Sequence, residues 1–148
     1  SRGDLLCNDC ETPSRPRMFF VLDSAGCLRY RQQGSPQQYV AGGQWACEPV
    51  LWTTWMHCGN LSAVTQTKLL ELDADAVRKI LGPFPSKHAS KYAEAYIGEL
   101  NSVDRAQLSD LWMPDYYHLI EKASLTVGPA SVNRLHSPFT PSSVTRKP

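Results

Sequence analysis

The sequence predicts a mostly β, antiparallel domain, a sandwich or barrel, followed by C-terminal helices. Three observations carry this. Up to Leu72 the apolar residues come in short strand-forming runs separated by turn residues. At Asp73 the period lengthens to that of a helix. Within the first of these parts lies Gly43 to Ala63, which holds Trp45, Trp52 and Trp55 and almost no charge. So much aromatic mass must be buried or must cover a pocket.

Residues 1–17 are polar, with Pro13 and Pro16, and only Leu5-Leu6 fits a brief strand. Met18-Phe19-Phe20-Val21-Leu22 is a continuous apolar run and reads as a buried strand. Asp23-Ser24-Ala25-Gly26 is turn chemistry, with Gly26 free to take positive φ. Cys27 to Arg31 then alternates, Leu28 and Tyr30 on one face, Arg29 and Arg31 on the other. The two runs are expected to form a hairpin with one face inward. Gln32 to Gln37 is a second turn, and Gln38-Tyr39-Val40 a third strand ended by Gly42-Gly43. Pro49 forbids a central-strand hydrogen bond and fits a turn or the first turn of a short helix. Leu61 to Val64 and Lys68 to Leu72 are the next strand candidates.

Asp73 can cap a helix carrying Val77, Ile80 and Leu81 on one face, stopped by Gly82-Pro83. Ser86 can cap a second, with Ala89, Tyr92, Ala93, Tyr96, Ile97 and Leu100 at helical spacing. The plain reading of that stripe is core packing against the sheet. Ser102 or Asp104 is expected to start a third helix through Leu108 and Leu111-Trp112, stopped before Pro114. Asp115 starts a fourth through Ala123. Residues 124–148 are Ser/Thr/Pro-rich with Arg134, Arg146 and Lys147, and read as a mobile tail or linker.

A chain of 148 residues has room for one domain and some extra. A net charge of +1 gives no support to a nucleic-acid or membrane-surface partner. No apolar run approaches the roughly 20 residues that a spanning helix needs, although a parent chain could span a membrane. The opening Ser-Arg-Gly-Asp, without Met, suggests a fragment or a processed chain. Five cysteines is an odd number, so they read as reduced thiols of an intracellular, cytoplasmic protein rather than as a disulfide framework. Cys7-x-x-Cys10 has no second pair for zinc and no following helix for redox work, so two ordinary cysteines is the simpler reading. There is no Ser/His/Asp arrangement, no H-E-x-x-H and no phosphate loop, which argues for a non-enzymatic role without cofactor. A metal site on Cys7, Cys10 and a histidine is the remaining chemical alternative.

Glu48 stands out in its apolar surroundings, because an acid in such a wall is either paired or a ligand contact. The motif Gly43-x-x-Ala46-Cys47-Glu48, followed by His57-Cys58-Gly59-Asn60 and by Leu69-Leu70-x-Leu72-Asp73 leading into a helix, resembles the cyclic-nucleotide-binding domain. That family's phosphate-binding cassette reads roughly G-x-x-F-G-E-[LI]-A-L-x-x-x-x-P-R-A-A-T. Gly43 and Glu48 match it; Ala46-Cys47 stand for Phe-Gly, and Met56-His57 for Pro-Arg. Met18 to Tyr30 looks like the family's glycine-centred hairpin. The resemblance covers about residues 3–100, and the aromatic pattern with His57 and Gly59 looks like a divergent protist or algal subset.

The resemblance implies an antiparallel β-roll of the jelly-roll type, the double-stranded β-helix, over residues 3–72, with helices over 73–123. The family's first strands and leading helix are then missing before Ser1. It implies a regulatory module for cAMP or cGMP, whose C-terminal helices act on an effector domain or partner, in an ion channel or a kinase regulatory chain. By resemblance Glu48 holds the ribose and His57 faces the phosphate, with Cys47, Cys58, Gly59 and Asn60 completing the cassette. His57 is the main departure, since imidazole lacks the two-point grip of a guanidinium. Losing such a charge-assisted pair costs about 1.5–3 kcal/mol. Two readings stay open: a pocket that binds a cyclic nucleotide or another small anion, or a ligand-free interaction module whose aromatic residues have filled the pocket.

Overall fold

The computed structural model describes residues 1–83 and 87–125. Its strands are β1 (Leu5–Cys7), β2 (Arg17–Val21), β3 (Cys27–Arg31), β4 (Gln38–Ala41), β5 (Trp45–Ala46), β6 (Asn60–Ala63) and β7 (Leu69–Asp73). A short helix α1 (Pro49–Trp52) sits between β5 and β6, and α2 (Ala74–Leu81), α3 (His88–Leu100) and α4 (Tyr116–Leu125) follow. The strands form two antiparallel sheets, ordered β1-β6-β3-β4 and β5-β2-β7.

Apart from β5, which the irregular aromatic stretch concealed, each strand was legible in its residues, but not its partner. β2 and β3 do not pair with one another. β2 runs between β5 and β7, with Phe20 opposite both Trp45 and Leu70. β3 runs between β4 and β6, with Tyr30 opposite Gln38 and Leu61. The turn at Asp23–Gly26 therefore carries the chain from one sheet to the other instead of closing a hairpin. Its geometry explains Gly26, which does not take a positive φ. A Cβ there would lie 2.7 Å from Thr67 Cγ2 and 2.9 Å from Val21 Cγ1, so the need is for space at the crossing.

The inner faces enclose one core. Met18, Phe19 and Val21 of β2 meet Leu28 and Tyr30 of β3, Val40 of β4 and Leu61 of β6, with Val50 and Leu51 of α1 closing it. Arg29 and Arg31 point outward, as the alternation requires. A second cluster of Tyr96, Leu100 and Leu119 lies between α3 and α4, and Trp52 and Trp55 pack against both clusters. The aromatic segment thus joins the roll to the helices.

The Asp73 side chain accepts from Ala76 N at 2.9 Å and starts α2 as expected. Only part of its expected apolar face is inward, however: Val77 and Leu81 are half-buried, Val77 against the core, and Ile80 is exposed. Arg78 fixes this roll of the helix, donating to the carbonyls of Val50 (2.7 Å) and Leu51 (3.2 Å) and so satisfying groups that α1 is too short to use. The Ser86 cap lies outside the described residues; α3 itself buries Tyr96 and Leu100, in phase with the stripe. Asp115 caps α4 through Tyr117 N and His118 N. The helix runs to Leu125, and the remainder of the expected tail lies outside the described residues.

The expected third helix does not form. Asp104 caps a single 3-10 turn, Arg105–Gln107, and the chain leaves it extended at Leu108. The reason is tertiary. The Leu108 carbonyl accepts from Gln32 Nε2 (2.8 Å), and the Asp110 carbonyl from Cys47 N (2.7 Å). Helical geometry would withdraw both carbonyls from the roll.

Two glycines test this account of space. Gly26→Ala should destabilise by about 1–3 kcal/mol through overpacking at the crossing. Gly98→Ala on α3, where nothing lies within 4 Å of the added carbon, should be neutral or stabilise by up to about 1 kcal/mol. Urea denaturation of the two variants beside the parent chain measures both.

Candidate functional site

The segment from Trp45 to Asn60 builds two hydrogen-bond networks around two buried carboxylates. The first belongs to Glu48, which is 6% exposed. Trp45 Nε1 donates to its Oε2 (3.1 Å) and Trp52 Nε1 to its Oε1 (3.4 Å). Tyr92 of α3 donates to Oε1 (2.8 Å), and Tyr116 of α4 to Oε2 (2.5 Å). Pro49 starts α1 directly after Glu48, which leaves this side chain at the helix entrance within reach of both later helices. Burial, and then the Glu48 charge and hydrogen bond, hold the Tyr92 hydroxyl well above its ordinary range; the same causes act on Tyr116. Ring contacts reinforce the network, with centroids 5.2 Å apart for Trp52–Tyr92 and 5.9 Å for Trp45–Tyr116.

The second network belongs to Asp110, 1% exposed. Its carboxylate accepts from Tyr30 Oη (2.9 Å), Trp55 Nε1 (2.8 Å), His57 Nδ1 (2.7 Å) and Cys58 N (2.9 Å). These donors come from β3 and from the segment before β6, so the loop after α3 is stitched into the roll. Burial alone would lower the His57 pKa, but the hydrogen bonds to Asp110 and Cys7 more than offset it and push it up to about 10. The histidine is therefore an imidazolium at neutral pH, paired with a carboxylate in a dry setting.

The predicted site residues divide between these networks. Glu48 belongs to the first. His57 and Cys58 belong to the second, and Cys47 touches it through its N–H. Asn60 Oδ1 accepts from Asp9 N (3.1 Å), which ties the loop after β1 to β6. Gly59 is a close-approach position, since a Cβ would stand 2.5 Å from the Arg31 carbonyl oxygen. Cys47 adopts φ +67, the left-handed region that favours glycine, so the backbone keeps the shape that a glycine would take while bearing a thiol. Its side chain is fully buried beside Cys7 and His57. The neighbouring Cys47 thiol holds the Cys7 pKa below its ordinary value, against burial. The same pairing, and burial, push Cys47 up.

Asp110 was missed at the sequence level. It lies inside the apolar stretch Leu108 to Trp112, where an isolated carboxylate is as unusual as Glu48 is among the tryptophans. That was the available signal, and the expectation of a third helix hid it.

Fold and site together define a rolled antiparallel sheet domain with a short helix inserted after β5 and later helices docked on it. Solved structures place this arrangement. The chain is similar to the N-terminal domain of a transcriptional regulator from Streptomyces coelicolor A3(2), with TM-score 0.53, 19% identity, and 74% of this chain and 80% of that one covered. It is similar to the structure described as "A cyclic-GMP-dependent signalling pathway regulates bacterial phytopathogenesis", with TM-score 0.52, 18% identity and coverage of 70% and 83%. It is also similar to the EAL enzyme Bd1971 in its half-site-occupied form, with TM-score 0.51, 10% identity and coverage of 68% and 90%. No protein-family model and no curated protein matches the chain. The fold is that of the cyclic-nucleotide-binding domain, a β-roll followed by C-terminal helices. No helix among the described residues is long and apolar enough to cross a membrane.

Asp110→Asn should cost about 3–5 kcal/mol in urea denaturation, because it leaves a buried imidazolium without its counter-charge. In nitrogen-15 NMR of the parent chain, His57 should remain an imidazolium at pH 8; in the variant it should lose that proton at lower pH.

Proposed function

We propose that this chain is a non-enzymatic regulatory module of the cyclic-nucleotide-binding type, in which Glu48 couples the cassette to the C-terminal helices. The observation that carries the reading is the pair of hydroxyls, one from α3 and one from α4, on a single buried carboxylate. In this arrangement the helices occupy the group that by resemblance would hold a ribose. A cAMP or cGMP ribose competes with Tyr92 and Tyr116 for Glu48, and its binding releases the helices toward an effector domain or partner. The module serves a longer regulatory chain, such as a channel or kinase subunit. The likeness to a structure described by a cyclic-GMP-dependent pathway supports this ligand class. By resemblance the phosphate would fall to His57 with Cys47, Cys58, Gly59 and Asn60, but His57 is buried on Asp110 and the cavity that it lines does not include Glu48, so the reading rests on Glu48.

The second reading is a ligand-free interaction module. It is favoured by the fact that Glu48 already has four internal donors, which satisfy a carboxylate's lone pairs.

Titration calorimetry with cAMP and cGMP separates the two. The parent chain should bind weakly. A Tyr92→Phe/Tyr116→Phe variant should bind about ten-fold or more tightly, since each lost charge-assisted hydrogen bond removes about 1.5–3 kcal/mol of competition. No heat from either folded protein rejects the first reading in favour of the second.

A further inference from the structure

The Cys7-x-x-Cys10 motif does not converge: Cys7 is buried at the end of β1, while Cys10 is exposed. Cys7 instead meets Cys47 and His57. The two sulfurs and an imidazole nitrogen all lie within 4.8 Å of one another, and all three residues are buried. They come from β1, from the bend after β5 and from the segment before β6, so the cluster is made by folding and not by a local motif.

We propose that Cys7, Cys47 and His57 form a zinc site with its fourth position open. Two thiolates and an imidazole are a ligand set that suits Zn2+, and two sulfurs with one nitrogen favour it over oxygen-seeking cations. Asp110 occupies Nδ1 of His57 at 2.7 Å, which leaves Nε2 as the ligating nitrogen; the imidazolium of the metal-free chain gives up its Nε2 proton, and the two thiols theirs, to solvent as Zn2+ binds. A carboxylate behind a metal-bound histidine fixes the ring's orientation and raises its basicity.

Two further features fit this site. Cys47 holds a left-handed backbone conformation that costs a non-glycine residue about 1–3 kcal/mol. In return the thiol is placed against Cys7. A cavity of about 180 Å³ abuts Cys7 and His57 and reaches the surface past Glu11, Ser14 and Arg15. It has room for several waters at roughly 30 Å³ each, so the fourth ligand is water or a small anion entering by this route. Bound metal ties β1 to the residue preceding Glu48.

The test uses the reduced chain, loaded with Zn2+, dialysed and analysed for metal, with Co2+ as a spectroscopic substitute. The expected result is equimolar zinc, near-ultraviolet thiolate-to-cobalt charge transfer with tetrahedral visible bands, and X-ray absorption showing sulfur at about 2.3 Å and nitrogen or oxygen at about 2.0–2.1 Å. Cys7→Ser and Cys47→Gly should lose the metal, and Cys10→Ser should keep it. Cys47→Gly suits the backbone at that position, so its loss of metal with retained circular dichroism is not a folding defect. Zinc kept by both Cys7→Ser and Cys47→Gly, or cobalt bound without charge transfer, overturns the proposal. So does a Cys7–Cys47 disulfide in place of metal under reducing conditions.

Discussion

The Asp110 carboxylate is the constraint on which the rest of the structure depends. A charge this deeply buried costs several kcal/mol unless it is paired and hydrogen-bonded. Here four donors converge on it, one of them an imidazolium. Meeting that demand determines the path of the chain on both sides. The residues around Asp110 must leave helical geometry to reach the roll, and the segment from Trp55 to Cys58 must turn its donors inward. Tyr30, fully buried, both donates to this carboxylate and accepts from the Asp110 N–H at 3.1 Å. The loop after α3 and the centre of β3 are therefore held by one polar knot inside an apolar core.

Glu48 plays the matching part at the helical face. The two acids are handled in the same way, by surrounding each with tryptophan and tyrosine donors whose rings also supply apolar packing. Such side chains satisfy a buried charge without bringing in another one. The consequence is mechanical. α3 and α4 are joined to the cassette by hydroxyls on one carboxylate as well as by ring contacts, and polar contacts of this kind can be exchanged for those of a ligand. A purely apolar seam would offer no such exchange.

Much of the architecture was legible in short stretches. The Met18 run, the alternation from Cys27 to Arg31, the Asp73 and Asp115 caps and the Tyr92–Tyr96–Leu100 stripe each encode an element within a few residues, and each element is found. Glu48 was legible as an anomaly. What failed were inferences from chain neighbours to space. β2 and β3 are consecutive yet lie in different sheets, because the tight Asp23–Gly26 turn crosses between the layers. Gly26 was assigned to turn conformation when crowding by Thr67 and Val21 demands it. The stretch after Asp104 has good helical spacing, but its carbonyls have better partners in the roll.

The sequence by itself determined the order and kind of nearly every element, because helix and strand periods, caps and turns are written in residues a few positions apart. It also determined that an acid and several indoles would share one apolar stretch. The tertiary structure alone decided which strands pair, that Asp110 rather than a cassette partner claims His57, and that Cys7 lies beside Cys47 instead of working with Cys10. These pairings join residues tens of positions apart, and they are selected by the joint burial of charge and apolar surface, a property of the closed roll that no local window contains.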